Sequence, residues 1–120
     1  MKLLSRILGQ RGEHLAARWL ERKGYRILAR NFRVRGGEGD LVCRDGDCLV
    51  FVEVKTRTAG GLGYPEDAVQ REKQRRLLRA VNLYLVQLPQ PPAQYRIDVV
   101  SIERFPNGRT DIVHYENVTA

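Results

Sequence analysis

Apolar positions change period several times along the chain, and each change marks a predicted element. From about Gln10 to Lys23, Leu15, Ala16, Trp19 and Leu20 recur at helical spacing, and Gly24 can take a left-handed cap. Glu13, Ala16, Ala17 and Leu20 fall at i, i+3, i+4 and i+7, so this helix carries an acid on the face it should bury. Strand patterns follow at about 25–34, 38–44 and 48–57, the last two joined across an Asp-Gly turn signal, which predicts an antiparallel meander. After a glycine-rich loop, Pro65, Glu66 and Asp67 have the form of a helix start, and apolar residues at 69, 77, 80, 81 and 84 carry a second helix to Pro89. A proline-rich connector leads to a strand at about 95–104, an Asn-Gly turn and a last strand at 110–115. The predicted order is α-β-β-β-α-β-β.

The third strand raises a chemical question. Leu49, Phe51, Glu53, Lys55 and Arg57 share one face and Val50, Val52 and Val54 the other, so the strand is apolar on both sides until its C-terminal end turns polar. Counting across the hairpin relates Glu53 to Asp40. A four-residue loop at 45–48 sets Asp40 opposite Glu53, a two-residue loop at Asp45 and Gly46 sets it diagonal, and an odd loop parts the two. Two adjacent carboxylates repel unless a cation joins them, and such hard oxygen ligands suit Mg²⁺ or Mn²⁺. With Lys55 to orient a water or neutralise charge on phosphorus, the three residues form a kit for phosphodiester hydrolysis. The plainer reading of Glu53 and Lys55 is a same-face ion pair on a strand.

Composition narrows the partners. The 120 residues suit one domain spanning 1–120, and 21 Lys and Arg against 14 Asp and Glu give a formal charge of +7, a field that attracts polyanions. The N-terminus has neither a signal-peptide core nor a membrane span, so a cytoplasmic protein is expected. Cys43 and Cys48 flank the turn and are expected as free thiols, with His14 and His114 too distant in sequence to suggest zinc. On the second helix, Lys73 shares a stripe with Val69, Leu77 and Ala80 and should reach the sheet margin, to meet phosphate or to cover apolar surface. Arg71, Arg75 and Arg79 form an outward stripe that could track a nucleic-acid backbone or simply be solvated. Asp98 is expected to make a structural hydrogen bond or ion pair. Glu13 could equally serve the helix dipole, and Glu38 stays outside the catalytic set.

The spacing GEGD (37–40), twelve residues, then EVK (53–55), after a helix with an early Glu and before a basic helix, resembles the PD-(D/E)XK nuclease superfamily. More narrowly the chain resembles the YraN-like family of predicted endonucleases, related to archaeal Holliday junction resolvases, over 12–33, 36–57, 64–73 and 95–102. It departs from them in Gly39, where an isoleucine-like residue is usual, and in lacking the motif's leading Pro. The resemblance implies an α/β fold, a restriction-endonuclease-like mixed β-sheet flanked by helices. It implies Mg²⁺- or Mn²⁺-dependent cleavage of DNA, including branched or structured DNA in repair or recombination, that leaves a 5′-phosphate. Carried over by position, Asp40, Glu53 and the Val54 carbonyl would bind metal, Lys55 would be the catalytic lysine, and Glu13 would join them from the first helix. Lys73, Arg57, Arg71 and Arg75 would hold the nucleic acid, a homodimer would cut two strands, and no small-molecule cofactor or membrane is implied. The alternatives are a nucleic-acid-binding module with a degenerate nuclease site and a basic accessory subunit.

Overall fold

The computed structural model describes residues 2–58 and 67–118, with side chains for 12–58 and 71–118. Helix α1 (Lys2–Arg22) leads into strands β1 (Arg26–Val34), β2 (Gly37–Asp45) and β3 (Cys48–Thr58). Helix α2 (Asp67–Gln87) and strands β4 (Gln94–Arg104) and β5 (Thr110–Tyr115) complete the predicted order. The first helix begins at Lys2 rather than near Gln10. Leu3, Leu4, Ile7 and Leu8 continue the helical spacing, and Gly9 and Gly12 weaken a helix without breaking it. Pro65 and Glu66, the predicted start of the second helix, lie outside the described residues.

Helix α1 ends where glycine allows it to. Gly24 has φ 102°, its N–H donates to the Glu21 carbonyl at 3.0 Å, and the Tyr25 N–H donates to the Leu20 carbonyl at 3.0 Å. These are the two bonds of a Schellman motif, closed by Tyr25 and Leu20 in the same apolar cluster.

The five strands lie in the order β1-β2-β3-β4-β5, antiparallel except for β3 and β4. The sheet is therefore mixed, as expected, with α2 as the crossover between its parallel pair. Asp45 pairs with Cys48 and Arg44 with Leu49, leaving Gly46 and Asp47 in the turn, with Gly46 at φ 59°. Pairing thus runs one residue beyond the four-residue loop but keeps its register. The ladder ends at Leu41 and Val52, and beyond it the Asp40 side chain takes up the Val54 N–H.

Each face has its own core. Helix α1 covers Leu41, Val50, Val52 and Val100 on one side; α2 covers Val42, Leu49, Phe51 and Ile97 on the other. Helix α2 lies chiefly over β2 and β1, so on its side much of β4 and β5 is uncovered. Gly37 permits this close fit, because a Cβ there would meet the Arg76 carbonyl oxygen at 2.7 Å and the Ala80 nitrogen at 2.8 Å. Both cysteines are buried and free. Among the described residues, no helix is long and apolar enough to cross a membrane.

Candidate active site

Glu53 shares the α2 side with Phe51, and Asp40 sits beside it where the β2–β3 ladder ends. Asp40 is anchored by Oδ2, which accepts the Val54 N–H at 2.7 Å. Glu53 is only 6% exposed. Lys73 reaches down from α2, with Nζ 2.5 Å from Glu53 Oε1. A contact this short is a charge-assisted pairing, and it answers the buried Oε1. Glu13 approaches the pair from α1, its carboxylate accepting the backbone N–H of Asn31, which holds φ 47° on β1.

Crowding of like charge dominates the electrostatics. Burial, then the adjacent Asp40 charge, pushes the Glu53 carboxyl up to about 7. Burial also raises Asp40, against the opposing pull of the Val54 N–H and Lys73. Glu13 is raised to about 7, first by burial and then by Asp40. For Lys73, burial works against the charge, but the Glu53 carboxylate outweighs it and holds the ammonium above its ordinary value. The cluster holds more negative charge than one ammonium balances, so near neutral pH it retains a proton or gains from a further cation.

A small hard cation fits this donor set. Among the described residues no three His, Cys, Asp or Glu side chains are grouped to enclose a metal ion. Mg²⁺ does not require such a cage, since it is commonly held by one or two carboxylates with water and phosphate oxygens. Asp40 and Glu53 supply those carboxylates, with the Lys73 ammonium in the place a bound ion would take beside Glu53.

The remaining predicted residues separate by position. Lys55 lines a cavity with Glu53 and Lys73 and makes no ion pair with a described residue, so the plain Glu53–Lys55 bridge is not what forms. Lys73 meets the sheet margin as its stripe predicts, but its contact is Glu53. Val54 contributes its N–H to Asp40. Arg57, Arg71 and Arg75 are exposed, and Arg75 lies 3.5 Å from Glu72. Gly39 has a local reason: a Cβ there would run into the Phe32 ring, which packs over the strand beside Asp40.

A second polar cluster, on the α1 side, was legible only in part. Asp98 is fully buried and, as expected, makes structural contacts: it accepts from Arg96 Nε at 3.0 Å and from the Asn117 N–H at 2.9 Å. His114 Nε2 lies 2.8 Å from Asp98 Oδ2, and Lys23 Nζ lies 2.8 Å from His114 Nδ1. An ammonium only donates, so Nδ1 accepts and the Nε2–H faces Asp98. Arg96 and Asp98, two apart on a strand, signalled one half of the cluster; nothing in the spacing signalled His114.

Residues 12–102 match the profile of "Uncharacterised protein family UPF0102". Similar proteins, each named as a UPF0102 protein, include one from Symbiobacterium thermophilum, 52% identical over 106 residues, covering 88% of this chain and 90% of that protein. Another, from Geobacter metallireducens, is 49% identical over 117 residues, covering 98% and 95%. A third, from Chlorobium phaeobacteroides, is 42% identical over 121 residues, covering 99% and 96%.

Proposed function

The chain belongs to the uncharacterised protein family UPF0102, and on that premise we propose that it is a cytoplasmic, divalent-metal-dependent endonuclease acting on DNA, branched or structured DNA in particular. The observation that carries this reading is half-buried Asp40 beside buried Glu53, two crowded carboxylates with Lys55 and Lys73 next to Glu53, in a chain of formal charge +7.

Asp40 and Glu53, with the Val54 carbonyl, would hold Mg²⁺ or Mn²⁺; bound there, the ion supplies positive charge that polarises a phosphate oxygen and acidifies a water. Lys55, unpaired among the described residues, orients that water or neutralises charge developing on phosphorus. Lys73 has 48% of its side chain exposed, so its ammonium can turn from Glu53 to a phosphate oxygen. Glu13, raised to about 7, is poised to take or give a proton near neutral pH. Arg57, Arg71 and Arg75 contact the DNA backbone, and a homodimer places two sites on two strands.

The Lys73–Glu53 contact favours one alternative, a nucleic-acid-binding module without turnover in which the ammonium permanently takes the cation's place. Cleavage of labelled duplex, single-stranded and four-way-junction DNA in Mg²⁺, Mn²⁺ or EDTA separates the two. The expected result is metal-dependent cutting that falls by at least about 10²-fold in Glu53→Gln and in Lys55→Ala. DNA binding by wild type with no cutting in either metal establishes the binding module instead.

A further inference from the structure

Helix α2 covers Ile97 but leaves β4 open beyond it, and beside Glu53 this makes a cavity of about 350 Å³. Its walls have two characters. Leu77, Leu78, Ile97, Val99 and Val118 give it an apolar body, while Glu53, Lys55 and Lys73 contribute its charged groups. Register orders these along the strands: Phe51 pairs with Ile97, Glu53 with Val99 and Lys55 with Ser101, so the lining passes from apolar to cationic toward the C-terminal end of β3. Tyr115, outside the lining, is the cross-strand partner of Val99, projects to the same face and is 53% exposed, so an accessible aromatic residue stands next to the cavity on that face. The Val118 wall is held by its N–H, which donates to the Ile97 carbonyl at 2.8 Å, and by the neighbouring Asn117 N–H on Asp98.

We infer that this cavity receives one unpaired nucleobase of the DNA next to the phosphate to be cut. The inference rests on the nuclease reading and narrows its substrates to DNA with a bulged, gapped or splayed nucleotide at the cleavage site. An apolar slot with an aromatic neighbour suits the face of a base, which stacks on apolar and aromatic side chains once it leaves the duplex. Two ammonium groups at the charged end match the phosphate that the base carries with it. Gln74, in the same lining, supplies an amide that can meet a base edge. The size lies at the lower end of small-ligand pockets, about 300–1,000 Å³, and gives no room to a paired duplex. A base already unpaired enters without the unstacking cost that a fully paired one must meet.

The test measures binding in EDTA, by anisotropy and by fluorescence of 2-aminopurine, to a duplex with the probe in a one-nucleotide bulge and to the same duplex fully paired. Wild type should prefer the bulge by roughly 10-fold or more and change the probe's fluorescence. Val99→Phe, which fills the slot, and Tyr115→Ala, which removes the aromatic neighbour, should each erase that preference while leaving duplex affinity unchanged. Equal affinity for the two DNAs, or a preference that survives both variants, overturns the inference. Repeating the comparison in Mg²⁺ keeps it distinct from the nuclease reading. Bulge preference without cutting sinks the nuclease and keeps the pocket, whereas equal cutting of both DNAs keeps the nuclease and sinks the pocket.

Discussion

Glu53 and Asp98 are both buried carboxylates, on neighbouring strands and opposite faces of one sheet, yet their surroundings are opposite. Around Asp98 each oxygen is answered: Arg96 donates to both, His114 to Oδ2 and the Asn117 N–H to Oδ1. Arg96 in turn reaches the Tyr25 hydroxyl at 2.5 Å and Asp45 at 3.3 Å, tying β4 to the ends of β1 and β2. Glu53 has one half-exposed ammonium and a repelling neighbour. A buried charge that is fully bonded fastens structure, while one left short of partners invites a ligand to complete it. The same residue chemistry at similar depth therefore serves two ends.

The contrast is broken or sharpened most strongly by removing each carboxylate. Asp98→Ala leaves the Arg96 guanidinium without its buried partner and should cost about 3–5 kcal/mol in chemical denaturation. Glu53→Gln removes a crowded charge and should cost nothing or stabilise the metal-free protein at pH 8. Equal losses in the two variants would abolish the distinction. Next in size is the response to metal. Mg²⁺ at 100 times its Kd should stabilise wild type by about 2.7 kcal/mol, raising Tm, and should do nothing for Glu53→Gln.

A pH series gives a somewhat smaller effect with a definite sign. The Glu53 carboxyl ordinarily titrates at 4.5 and in the fold at about 7, so between these values the folded chain keeps a proton that the unfolded chain has released. Stability present below pH 4.5 is therefore lost as pH rises through 7, by on the order of 1–3 kcal/mol. Denaturation of the metal-free protein from pH 4.5 to 8 should show this loss, and Glu53→Gln should reduce it to the part that Glu13 and Asp40 contribute. The smallest change probes the packing that sets Asp40. Gly39→Ala presses a Cβ against the Phe32 ring and should cost about 1–2 kcal/mol, measured by the shift in Tm.

Much of the site was legible because its signal is local. Alternation put Glu53 and Lys55 on one face, and counting across an even hairpin predicted Asp40 next to Glu53; the turn at Gly46 and Asp47 keeps the register as far as Leu41 and Val52. Lys55 looked like the partner of Glu53 because it is two residues away on the same side. The contact went instead to Lys73, which the crossing of α2 delivers from above. Gly39, a departure from the family pattern in sequence, has its reason in Phe32, whose ring occupies the space a side chain there would need.

By itself the amino-acid sequence determined the elements, their order, the two-faced cores and the side on which Glu53 lies, since each follows from periods of two or 3.6 residues and from short turns. Tertiary structure alone decided the parallel pairing of β3 with β4, the meeting of Asp98 with His114, the claim of Lys73 on Glu53 and the cavity that α2 leaves beside them. Those features depend on where a helix crosses a sheet and on which distant side chains satisfy a buried charge. Such choices are settled by packing and desolvation over the whole fold, and no short window of residues carries them.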